Sequence, residues 1–60
     1  MKKSEMLSCL PREIVSTVAE ELKLFPEKGD YDCTIMLNGN WVVFEGPSYQ
    51  EALWSIQIPR

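Results

Sequence analysis

Residues 31–45 read Tyr-Asp-Cys-Thr-Ile-Met-Leu-Asn-Gly-Asn-Trp-Val-Val-Phe-Glu, two strand-like runs that meet at Asn38-Gly39. An Asn-Gly step between such runs is the strongest short-range hairpin signal, because a tight primed turn needs positive φ at both central residues. The spacing predicts antiparallel strands over about 31–37 and 40–45. A two-residue turn sets Met36 opposite Trp41, Ile35 opposite Val42 and Cys33 opposite Phe44, and the side chains then sort by parity. One face carries Tyr31, Cys33, Ile35, Leu37, Val42 and Phe44; the other carries Asp32, Thr34, Met36, Trp41, Val43 and Glu45. The first face is the better core. The second keeps a cross-strand Met36/Trp41 pair beside Val43, which is unusual for a solvated side.

Upstream, Pro11, Val15, Val18, Leu22 and Phe25 share a stripe at helical spacing, flanked by Ile14 and Ala19, while Glu13, Ser16, Thr17 and Glu20 point away. This predicts a long amphipathic helix over about 11–25. Pro11 suits its first turn, and Pro26 disfavours helical geometry at Phe25. Residues 1–10 add at most a frayed turn, and Glu27-Lys28-Gly29-Asp30 reads as a loop. Downstream of Gly46-Pro47, Ser48-Tyr49-Gln50-Glu51 fits a capping box, in which Ser48 accepts from the N–H of residue 51 and Glu51 reaches back. A short C-terminal helix over about 48–57 follows, with Tyr49, Ala52, Leu53 and Ile56 on one side and Trp54 and Ile58 roughly opposite. The expected fold class is α+β, a single small domain over 1–60 in the order α-β-β-α.

Composition narrows the function classes without naming a chemistry. The chain has 60 residues, 45% of them hydrophobic, and a domain of that size buries only about 60% of the surface its unfolded form exposes. A partner subunit is a natural supplement to so small a core. There is no histidine, and Cys9 and Cys33 alone fall short of a tetrahedral zinc site, so no metal and no cofactor is expected. Glu20/Glu21 are adjacent on a helix and do not face one another, and Asp30-Tyr31-Asp32 lacks the downstream acidic ligand of a calcium loop. No base or cation stands near Cys33 to activate it, and no phosphate-cradling loop exists, so no catalytic residue and no enzyme activity is expected. A Cys9–Cys33 disulfide would call for a secretory segment, which the first residues do not resemble; free thiols in a reducing cytoplasm are expected instead. No stretch approaches the ~20 apolar residues of a membrane span.

The net charge of −3 and a pI near 4.7 argue against a protein that tracks a phosphate backbone. The leading expectation is a small non-catalytic, regulatory or inhibitory protein-interaction module. Its apolar sheet face serves self-association, most simply as a homodimer, or binding of another protein, with Met36, Trp41, Val43 and Trp54 as the partner-binding residues. Pairing of the exposed edge of 31–37 or 40–45 with a second copy would also cover that edge. The alternatives are a nucleic-acid-associated accessory protein using Lys2, Lys3, Arg12 and Arg60, and an acidic nucleic-acid mimic using Glu13, Glu20, Glu21 and Glu27. The same size and acidity suit a phage or other mobile-element product.

Overall fold

Leu10 stands before a proline, whose ring disfavours helical backbone at the preceding residue, and the N-terminal third breaks there. The computed structural model describes residues 1–59. The long helix expected over 11–25 is shorter, α2 (Arg12–Glu21), and a separate short helix, α1 (Lys3–Ser8), stands where at most a frayed turn was expected. Pro11 occupies the position before α2 with extended backbone, φ −57° and ψ 144°. At the other end α2 stops at Glu21, earlier than Pro26 demands. Beyond Glu21 the Leu22 N–H donates to Val18 O, the Lys23 N–H to Glu20 O and the Phe25 N–H to Leu22 O, and the Lys3 ammonium donates to the Leu22 and Phe25 carbonyls (2.9 and 3.0 Å), which ties this turn to α1. The stripe on α2 still faces the core, with Val18 and Leu22 fully buried and Ile14 and Val15 packed beside them.

Strands β1 (Tyr31–Ile35) and β2 (Trp41–Glu45) form the β-hairpin, one residue out of the expected register. Ile35 lies opposite Trp41, Cys33 opposite Val43 and Tyr31 opposite Glu45. The turn chemistry accounts for the slip. Asn38 does not adopt positive φ, so no primed two-residue turn forms; only Gly39 is left-handed, at φ 85°. The Gly39 N–H donates to Met36 O, and the Met36 N–H to Asn40 O (both 2.9 Å), which closes a loop over 37–39 in place of a turn over 38–39. A one-residue slip moves every side chain of β2 to the other face. Trp41 and Val43 therefore join Tyr31 and Cys33 beneath the helices, while Val42 and Phe44 turn to the opposite side.

The C-terminal helix expected over 48–57 is absent. Tyr49–Glu51 make a single 3-10 turn, and Trp54–Ile58 form a third strand, β3, antiparallel to β2. Ser48 makes no side-chain cap; the turn is closed by the Glu51 N–H donating to Ser48 O at 3.1 Å. Trp54, Ile56 and Ile58 alternate with Ser55 and Gln57, the period of a half-buried strand, and this strand supplies partners for the β2 backbone groups that a lone hairpin leaves unpaired. Gly46, at φ 148°, lets the chain leave β2; a Cβ there would meet Ala52 Cα and Glu51 O at 3.0 Å.

The sheet order is β1-β2-β3. Its helix-covered face carries Tyr31, Cys33, Trp41, Val43, Trp54, Ile56 and Ile58, packed with Met6, Leu10, Val18 and Leu22. The other face shows Asp32, Thr34, Ser55 and Gln57 around a buried Val42 and Phe44, and Tyr49 packs edge-on against Phe44 with ring centroids 6.3 Å apart. The second broad apolar face expected from the sequence does not exist: the register and the third strand place its Trp41 and Val43 under the helices.

Candidate functional site

The two ends of β1 are built differently. At its start, Tyr31 is wholly buried, and its hydroxyl donates to Pro26 O at 2.7 Å. The Tyr31 N–H donates to Met1 O (2.8 Å) and the Met1 nitrogen donates to Tyr31 O (3.0 Å), so the outer edge is paired there. Trp54 lies 6.0 Å from the Tyr31 ring and stacks on Phe25 at 4.6 Å, and its indole N–H donates to Glu45 Oε1 at 2.9 Å. Burial, with the Glu45 and Glu27 carboxylates adding to it, raises the Tyr31 phenol above its ordinary value near 10.

At the other end the edge is open. The Met36 N–H donates to Asn40 O and the Gly46 N–H to Asp30 O, so the even-numbered residues of β1 turn their backbone groups to β2 and the odd-numbered ones turn theirs outward. Of the outward groups beyond Tyr31, the Cys33 N–H is taken by Asp32 Oδ1 at 2.8 Å. The Cys33 carbonyl and both backbone groups of Ile35 have no partner among the described residues. The Ile35 side chain is 50% exposed and Leu37 is fully exposed.

Two recesses flank this open end. One, of about 540 Å³, lies on the side away from the helices, between Met36, Leu37, Phe44 and Tyr49, with Asp32 at its rim. The other, of about 330 Å³, lies on the helix side between Ile14, Trp41, Pro11 and Pro59, with Glu13 at its rim. Ile35 borders both, and among the described residues each is lined by one charged side chain, in both cases a carboxylate.

The four residues expected to bind a partner do not form one patch. Val43 is fully buried in the central strand. Trp54 is half-buried in the aromatic cluster at the closed end. Trp41 is half-buried and walls the helix-side recess, and Met36 lines the groove on the opposite side. Ile35 and Leu37, which the two-residue turn assigned to the core face, are instead the exposed pair. Of the two edges expected to be free, 31–37 has an open portion, whereas 40–45 is the central strand, paired on both sides. Leu24 and Leu53, neighbours in sequence of Phe25 and Trp54, are also exposed. Leu53 precedes β3, whose outer edge is likewise unpaired among the described residues but presents the polar Ser55 and Gln57 and none of the recesses that flank Ile35.

The residues considered for other chemistries are dispersed. Lys3 is 12% exposed and occupied by two carbonyls and by Glu27 at 3.8 Å, and Arg60 lies outside the described residues. Glu27, one of the four acids expected to line a nucleic-acid mimic, is thus engaged by Lys3. Among the described residues no three His, Cys, Asp or Glu side chains gather in a metal-binding arrangement, and no helix is long and apolar enough to cross a membrane. Both thiols are free. Cys33 is held above its usual thiol range, mainly by burial and further by Asp32 and Cys9, and so stays protonated near neutrality. No protein-family model matches the chain, and neither does any curated protein or any solved structure.

Proposed function

We propose that this chain is a small non-catalytic protein-interaction module of the cytoplasm, which offers the open end of β1 to another polypeptide. One observation supports this reading above the others: the outward N–H and C=O of Ile35 are unpaired where Ile35 and Leu37 are exposed. Unpaired edges are commonly blunted with charge, proline or a covering loop, and an edge left open beside apolar side chains is a template for strand addition. The reading keeps the expectation of a binding protein, self-associating or heteromeric, and moves its contact surface from the sheet face to the sheet edge.

Amide chemical shifts followed through a dilution series, and through titration with extended peptides, test this reading. Association is expected to move Cys33 to Leu37 and the groove-lining Met36 and Tyr49, while Leu24 and Leu53 stay unchanged. Shifts centred on Leu24 and Leu53, or none with any peptide at any concentration, would overturn it.

A further inference from the structure

We infer that the strand received by β1 belongs to a different protein and is an extended apolar segment carrying lysine or arginine, added to Cys33–Leu37 as a fourth strand; this rests on the interaction reading above. The backbone sets the mode. An incoming strand finds the donor and the acceptor of Ile35 facing it, and successive side chains of that strand alternate between the two faces of the sheet. Apolar recesses lie on both faces at this place, Phe44 and Tyr49 on one side and Ile14 and Trp41 on the other. Few edges offer a pocket to both parities of an added strand.

Charge selects the occupant. Among the described residues, Asp32 is the one charged side chain lining the outer groove and Glu13 the one lining the helix-side recess. A second copy of a chain with net charge −3 would bring a second pair of carboxylates to the same two recesses, whereas a basic segment is attracted to both. Asp32 also links charge to pairing. Its Oδ1 accepts from the Cys33 N–H at 2.8 Å, and the lone pairs that remain on the carboxylate can accept from an ammonium or guanidinium of the arriving strand at the same edge.

The test uses the full chain, isotope-labelled, and two capped peptides of seven or so residues, one of alternating valine and threonine flanked by lysines, the other identical but flanked by glutamates. The lysine peptide is expected to protect the Ile35 amide from exchange. It binds at least about tenfold tighter than its glutamate twin, and the ratio shrinks as salt rises from about 20 to about 300 mM. Asp32→Asn combined with Glu13→Gln brings the two peptides to within about twofold of each other. Ile35→Pro removes an outward N–H that the β2 ladder does not use, and abolishes binding of both. Ile35→Lys, which leaves the backbone intact, weakens the lysine peptide and strengthens the glutamate one. Equal affinities for the two peptides, or binding that protects no β1 amide, overturn the inference. If neither peptide binds but Ile35→Pro converts a concentration-dependent dimer to a monomer, the occupant is a second copy: the basic partner falls and the interaction surface stands. If no peptide binds and the chain stays monomeric, both fall.

Discussion

At Tyr31 the strand begins with a wholly buried ring, a hydroxyl held by Pro26 and both outward backbone groups bonded to Met1; at Ile35, in the same strand, the side chain is 50% exposed and the outward backbone groups face solvent. The closed end is assembled from afar. Met1 and Lys3 come from the start of the chain, Phe25 and Pro26 from the segment after α2, and Trp54 from β3. The open end is made by its own turn, Met36 to Asn40, whose hydrogen bonds among the described residues are all internal to it. In a chain this short there are few remote elements to spend, and those present converge on one end of β1. Stability and binding are therefore expected to separate along a single strand.

Substitutions at the closed end carry the largest effects. Tyr31→Ala removes a fully buried ring and should cost about 3–5 kcal/mol, enough in a domain this small to abolish cooperative urea unfolding. Gly29→Ala should cost about 1–3 kcal/mol by overpacking, since a Cβ there is driven into the Tyr31 ring and lies 2.9 Å from Glu45 Oε2; denaturation midpoints measure it. Lys3→Met keeps the stem but leaves the Phe25 carbonyl without a donor among the described residues and Leu22 O with the Phe25 N–H alone, for about 1–2 kcal/mol, read as a lower denaturation midpoint.

A subtler effect comes from pH. The Tyr31 phenol is raised in the folded state, so the unfolded chain ionises first. Stability is unaffected by this group below pH 10, the ordinary tyrosine value, and declines above it, whereas Tyr31→Phe removes that decline. Leu37→Asp should be the mildest of all for folding, within about 0.5 kcal/mol, because Leu37 is fully exposed. The same substitution should nonetheless be felt in strand addition, lowering the affinity for a glutamate-flanked extended peptide and raising it for a lysine-flanked one, which titration with the two would show. A large loss of stability in Leu37→Asp would dissolve the contrast between the two ends.

Part of this arrangement was legible in the residues. The α+β class, the hairpin at Asn38-Gly39 and the core stripe of Val18 and Leu22 follow from spacing and turn chemistry. The turn size does not, because it depends on whether Asn38 takes up positive φ, and asparagine is nearly as content without it. That one dihedral decides which face Trp41 and Val43 join. The break at Leu10-Pro11 is legible in that residue pair, and α2 starts within a residue of the expected place; α1 is not legible, because a helix of six residues without an apolar stripe of its own draws its stability from packing. In 48–58 two local signals compete, a capping-box spacing at Ser48 and Glu51 and a period-two alternation at Trp54, Ile56 and Ile58. The alternation prevails because β2 has backbone groups to satisfy, a demand that becomes visible only once the hairpin is built. Of the residues expected to bind a partner, Val43 and Trp54 are drawn toward the core by the register and the third strand, whereas Met36 and Trp41 line the two recesses beside Ile35, whose exposure follows from the turn size that the residues left open.

Amide hydrogen exchange, read residue by residue in dilute solution, tests the central contrast most directly. The Tyr31 N–H, bonded to Met1 O at 2.8 Å, should exchange slowly, at the rate set by global unfolding, and the Ile35 N–H at close to the rate of an unstructured peptide. Equal protection at both positions in the free chain would mean that the edge of β1 is covered along its whole length, and would contradict the account.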